Sequence, residues 1–236
     1  MRVTRTGIAK GVVLASCALI AFGNVVVVTG DWAFDDMHAY LGAAERLLSG
    51  EPLYITGVAT SQLYLYSPWF AVAWIPFATL PILAVEIGWL AVLVACFAAA
   101  VWPFRHSLAG ICLALLLGAL LYRTLGWGNV QPLIVAVLVS ALPTRGGPWA
   151  LGLAGSLKPL TLAGVGVYLW RRQWANAAIA VGLAAVLWAP AVLMDLSSYP
   201  PPRAINLYDA TLLLPLVQLV RPPSGMSRRR RTGAAG

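Results

Sequence analysis

Charge is scarce in this 236-residue chain: only 10% of its residues are Asp, Glu, Lys or Arg, and eight are acidic. Cysteine and histidine are scarcer still, with three and two residues. Cys17, Cys96 and Cys112 lie inside apolar runs at no metal-ligand spacing. They read as small buried hydrophobes, which excludes a disulfide framework and a zinc site. His38 and His106 have no partner at a ligand spacing, so neither a metal nor a cofactor is implied. Internal repeats and long polar stretches are missing too, and no soluble domain is expected. Apolar residues fill the chain instead, at 60% of the total, against about 45–50% in soluble domains. They come in long blocks rather than amphipathic stripes, the pattern of an all-α, polytopic transmembrane helix bundle. The net charge of +8 does not point to nucleic acid. Its largest block is Arg228 to Arg231, and most of the rest sits at helix ends, where cytoplasmic loops collect Lys and Arg.

That positive-inside rule threads the chain through the membrane, with the N-terminus cytoplasmic. Arg2, Arg5 and Lys10 precede an apolar run over 11–29. The part before Cys17 is too short for a signal peptide and the run continues past it, so an uncleaved first helix is expected. Residues 31–67 then form an external loop. The stretch 66–84, broken by Pro68, Pro76 and Pro81, suits a short dipping segment. Helices over 85–103, 108–122, 130–142 and 175–193 place Arg105, Arg145 and Arg171 inside. Residues 146–170 are flanked by cations at both ends. A single span would put Lys158 near mid-membrane at a cost of roughly 3 kcal/mol. Two half-helices meeting at Lys158-Pro159 would each reach about 18 Å, so a re-entrant hairpin is expected. The whole of 1–220 reads as one transmembrane domain, followed by a basic, disordered cytoplasmic tail over 221–236.

Five of the eight acids fall in one window just after the first apolar run: Asp31, Asp35, Asp36, Glu45 and Glu51. Solvating a loop needs charge but no special arrangement; here the arrangement is specific. Over about 36–49, Ala43, Ala44, Leu47 and Leu48 share a helical face, Glu45 and Arg46 lie off it, and Gly50 is a natural stop. This predicts an amphipathic helix along the external membrane surface. Asp35 or Asp36 would cap its N-terminus, which leaves the other for chemistry. Arg123 and Lys158 sit at breaks in apolar segments, where cations line a cavity, meet an anionic ligand or snorkel to the interface.

These features, in order, resemble glycosyltransferase family 87, integral membrane enzymes of the C superfamily that include bacterial polyprenyl-phosphate-mannose-dependent mannosyltransferases. The resemblance is carried by Asp36 and Tyr40 after one transmembrane helix, the Ala-rich surface helix, and Gly50-Glu51-Pro52-Leu53-Tyr54. It continues through Tyr64-Leu65-Tyr66-Ser67-Pro68, Gly128-Asn129-Val130-Gln131, Gly152 to Pro159 and Arg171-Arg172-Gln173-Trp174. It implies transfer of a hexose, mannose in the nearest pattern, from a polyprenyl-phosphate donor to a glycolipid or glycan hydroxyl on the outer face, with inversion.

By motif position Asp36 is the base that takes the acceptor proton, with Asp35 as the alternative. Lys158 and Arg123 are the candidates for the donor phosphate. Tyr40, Tyr54, Tyr64, Tyr66, Trp127 and Asn129 are candidates for the sugar and acceptor site, although aromatics at a membrane interface also serve as anchors. The family carries further helices beyond the region resembled. The expectation is therefore an incomplete catalyst with little transfer activity unless a second polypeptide supplies those helices. A shortened, inactive remnant or accessory subunit is one alternative. A lipid flippase or small transporter is another; it would use intramembrane Lys and Arg but need no acidic cap on a surface helix.

Overall fold

Backbone polar groups in lipid must be bonded within their own segment, so apolar blocks of this length fold as helices. The computed structural model describes residues 5–28, 34–56, 63–194, 196, 199 and 207–216, and every regular element among them is helical. The α-helices are α1 (Arg5–Val28), α2 (Asp35–Ser49), α3 (Pro68–Trp74), α4 (Ile82–Val101), α5 (Leu108–Gly126), α6 (Gln131–Ala141), α7 (Gly147–Leu157), α8 (Ala163–Trp170) and α9 (Trp174–Trp188). Short 3-10 segments extend several of them, and a further one covers Leu207–Leu216.

Ile82–Phe104, Leu108–Gly126 and Trp174–Leu193 are long and apolar enough to cross a membrane. Lys10–Gly23 of α1, Pro68–Phe77, Gln131–Ala141 and Pro159–Trp170 are apolar but shorter. Leu83, Ile87, Val186 and Val192 point outward, as side chains facing lipid do. The packed faces carry small residues instead. Gly152 of α7 lies so close to α9 that a Cβ there would stand 2.6 Å from the Ala180 carbonyl oxygen. Ala177, Ala180 and Ala184 are the buried residues of α9. Close backbone approach over small residues is how helices associate without a hydrophobic driving force between them.

The segment 146–170 is broken where the sequence puts Lys158-Pro159. Proline disfavours helical geometry in the residue before it, and Lys158 is extended, at φ −133 and ψ 94. The chain folds back there: Gly155 packs on Leu162, Leu151 on Gly164 and Gly147 on Tyr168, an antiparallel register centred on the break. Each arm is short. The 11 residues of α7 extend about 16 Å.

The helix ends sort into two groups. Near the hairpin tip lie the C-terminus of α5, the N-termini of α2 and α6, and the C-terminus of α9, joined by the bonds given below. Since α5 is 19 residues long, its other end is about 28 Å away. The turns joining α4 to α5, α6 to α7 and α8 to α9 therefore lie away from that cluster, and they hold Arg105, Arg145, Arg171 and Arg172.

Two details of α2 differ from expectation. Its buried residues are Met37, Ala39, Tyr40, Leu41, Ala43 and Ala44, while Leu48 is 57% exposed. The inner face is shifted towards the N-terminus because its partner is protein: Tyr40 packs edge-on against Phe70 of α3, with ring centroids 5.0 Å apart. Nor does either aspartate cap the helix. The N-cap is Phe34, held at φ 50 and without a side-chain cap, and carbonyls at the end of α5 take over that role. The stop at Gly50 is as expected, in left-handed geometry at φ 71. Residues 217–236 with the basic tail, as well as Asp31, Arg203 and most of 195–209, lie outside the described residues.

Candidate active site

The site is built on the break between α5 and α6, where an apolar chain must reverse and satisfy its exposed amides. Gly128 adopts φ 66. Its N–H donates to the Leu125 carbonyl and that of Asn129 to the Thr124 carbonyl, each at 2.9 Å, a Schellman closure of α5. The next carbonyls of α5 are taken by α2: Phe34 N–H donates to Gly126 O (3.1 Å) and Asp36 N–H to Trp127 O (2.9 Å). The Trp89 indole donates to Gly128 O at 2.7 Å. One helix end thus caps another, and this fixes Asp36 against the α5–α6 turn.

Only glycine fits at position 128. A Cβ would stand 2.8 Å from Met37 Cβ and 3.1 Å from Phe34 Cδ1, and a side chain at this φ is itself strained. Gly128→Ala is expected to cost about 1–3 kcal/mol and to loosen α2 from α5. Thermal unfolding and limited proteolysis of α2 in lipid nanodiscs measure this, and an unchanged midpoint would count against the docking described.

The start of α6 organises the polar side chains. Asn129 Oδ1 accepts from the Gln131 N–H at 2.9 Å, which sets the amide so that Nδ2 faces outward from the turn. Nδ2 donates to Asp36 Oδ2 at 2.8 Å and to the Tyr66 hydroxyl at 3.3 Å. The Val130 N–H donates to the Tyr40 hydroxyl at 3.2 Å, and that hydroxyl donates to Tyr66 Oη at 3.1 Å. Burial, then Tyr66 and the Asp36 carboxylate, push the Tyr40 pKa well above its ordinary value, so its proton stays in place. Asp36 also lies by the α6 N-terminus, where the helix dipole favours an anion.

Tyr66 also meets a cation. Lys158 Nζ lies 5.7 Å from the centroid of its ring, within cation–π range, and 3.9 Å from Asp209 Oδ1. The Lys158 and Asp209 side chains are 22% and 15% exposed. Below them Gln131 Nε2 donates to Thr211 Oγ1 at 2.6 Å, both residues being buried. Ser156 Oγ accepts from the Trp69 indole at 3.0 Å and its carbonyl accepts from the Trp188 indole at 2.9 Å, so the hairpin tip is tied to α3 and α9.

Of the ten candidates, Asp36, Tyr40, Tyr66, Asn129 and Lys158 form one connected constellation. Tyr54 and Tyr64 are buried in the adjoining loop, where their hydroxyls donate to the carbonyls of Tyr66 (3.0 Å) and Ser67 (2.8 Å). Burial raises both of their pKa values. Trp127 contributes its carbonyl to Asp36, and its ring carries Arg123 at 4.8 Å. Arg123 is exposed. Asp35 stands on the first turn of α2, half-buried. Three participants were missed: Asp209, Gln131 and Thr211. Asp209 is one of only three acids outside the 31–51 window, and that scarcity was the available signal.

The fold and this cluster define a membrane-embedded helical protein in which Asn129 links a carboxylate to the hydroxyl of Tyr66 and a lysine lies over the ring of the same residue. A family model, glycosyltransferase family 87, matches residues 64–201. The match spans more than half of the chain, which belongs to that family. Asn129, Tyr66 and Lys158 fall inside the matched region, whereas Asp36 and Asp209 reach the site from either side of it. Comparison with curated proteins and with solved structures gives no match.

Proposed function

We propose that the chain transfers a hexose, mannose by the motif pattern, from a polyprenyl-phosphate donor to a hydroxyl of a glycolipid or glycan at the outer face of the plasma membrane. The observation that carries this reading is the 2.8 Å bond from Asn129 to Asp36, which ties the carboxylate of the surface helix to the family-matched core beside Tyr66 and Lys158. Asp36 takes the proton of the acceptor hydroxyl. The acceptor oxygen attacks the anomeric carbon, the bond from that carbon to the phosphate oxygen breaks, and its electron pair leaves with the lipid phosphate. One base and no covalent intermediate give inversion, the single-displacement logic of inverting glycosidases. Lys158 stabilises the leaving anion in a low-dielectric setting.

The hairpin suits this chemistry. If its basic end lies at the cytoplasmic surface, arms of about 16 Å carry Lys158 roughly half-way through the hydrocarbon, where a lipid phosphate dipping from the far side can meet it. Non-helical backbone at that depth is tolerated because the tip is packed in protein.

Transfer of radiolabelled mannose from polyprenyl phosphate mannose, measured in membranes and with the purified chain, tests the reading. Activity in membranes that disappears on purification is the result expected if a second polypeptide completes the site. No transfer in membranes from any hexosyl donor of this class would overturn the proposal. Sidedness is checked separately: cysteine at the exposed position Ser49 should be labelled from outside and cysteine at Thr144 from the cytoplasm. The reverse pattern would invert the topology.

A further inference from the structure

We infer that Asp209 is an exchangeable counter-ion, seated where the phosphate of a lipid-linked donor binds Lys158, so that carboxylate and donor compete for one cation. This rests on the phosphate role proposed above for Lys158 and adds a specificity-determining residue to it.

Lys158 is held at the hairpin tip by an extended backbone, with its ammonium between the Tyr66 ring and Asp209. A lysine that is only 22% exposed gains from a compensating charge, and Asp209 supplies one. At 3.9 Å that contact is electrostatic and too long for a hydrogen bond. A phosphate oxygen approaching to hydrogen-bonding distance is therefore the stronger partner. The exchange conserves charge, since one monoanionic carboxylate gives way to one monoanionic phosphodiester.

The segment bearing Asp209 is fastened independently of Lys158. Thr211 is bonded to Gln131, Leu212 is fully buried, and Leu216 packs on Gly164. The Asp209 side chain can release Lys158 while its backbone stays in place. The segment is a 3-10 helix of 10 residues with Pro215 inside it. Runs of that kind beyond three or four residues are uncommon, with poorer hydrogen-bond geometry, which makes local adjustment easy. After transfer the departing lipid phosphate is a monoester of greater negative charge, and the returning carboxylate helps to expel it.

The test is binding of decaprenyl phosphate to the full chain in lipid nanodiscs, with decaprenol and inorganic phosphate as comparison ligands. Asp209→Asn is expected to tighten decaprenyl phosphate binding about tenfold and to leave decaprenol unchanged. Asp209→Ala gives the same readout without a new amide, and Asp209→Glu, which keeps the charge, should match the wild type. Lys158→Met should weaken decaprenyl phosphate and abolish any effect of Asp209→Asn in the double variant. Weaker or unchanged binding in Asp209→Asn and Asp209→Ala, with Lys158→Met weakened, overturns the exchange while the phosphate role of Lys158 stands. Asp209→Glu behaving like Asp209→Asn also overturns it, because charge would not be the cause. Unaltered binding in Lys158→Met removes the phosphate role, and the exchange with it. Inorganic phosphate competing on equal terms with the lipid would overturn the lipid-linked ligand.

Discussion

Asp36→Asn is expected to lower sugar transfer by about 10²–10⁴-fold while the protein remains in the membrane at wild-type abundance. The substitution is nearly isosteric. An asparagine oxygen can still accept the bond that Asn129 now gives to Asp36 Oδ2, and the backbone bond from residue 36 to Trp127 O does not involve the side chain. The docking of α2 on α5 should therefore survive, and what is lost is the ability to take a proton. Asp35→Asn is the matched control. Asp35 is on the same helical turn but its side chain has no hydrogen-bond or ion-pair partner among the described residues, so its loss should change transfer by less than threefold. Rates per unit of inserted protein, measured with labelled lipid-linked sugar, decide the matter. If Asp35→Asn is inactive and Asp36→Asn is not, the base has been assigned one residue too late.

Much of the fold was legible because a membrane chain writes its helices as apolar blocks and its breaks as Pro, Gly and charge. The break at Lys158-Pro159 is the clearest example. Proline acts on the residue before it whatever the tertiary context, so the break could be read from the sequence alone. The Gly128 to Gln131 turn was legible as a motif, but not its partners. That Asn129 meets Asp36, 93 positions earlier, depends on one helix end capping another, which leaves no local trace. The face of α2 was misjudged for a related reason. Periodicity reports that a face is apolar but not what covers it. Taking lipid as the partner favoured Leu47 and Leu48 over Met37 and Tyr40. Asp209 was hidden because its 3-10 segment has no helical period to read, so nothing local linked it to Lys158.

Lys158→Met is expected to reduce turnover by about 10²–10³-fold, the range for removing one preorganised group that meets developing negative charge. Methionine keeps the length and the apolar stem, so packing against Tyr66 should be retained. The charge is what disappears. One complication has to be separated out: the substitution also takes the ammonium away from the Asp209 carboxylate, which is only 15% exposed. Breaking a buried pair by removing one partner costs about 3–5 kcal/mol in fully buried cases, and these two groups keep some access to solvent, so a smaller loss of stability is expected here. The double variant Lys158→Met with Asp209→Asn removes that cost, because both charges of the pair are neutralised together. If Lys158 serves only the fold, the double variant should recover transfer together with stability. If it stabilises the departing phosphate, the double variant should unfold like the wild type and stay as slow as Lys158→Met alone. Lys158→Arg, which keeps a cation but spreads it over a planar fork, should fall between the two. Turnover in Lys158→Met within twofold of the wild type would end the phosphate role, since no other cation in the constellation described is positioned to replace it.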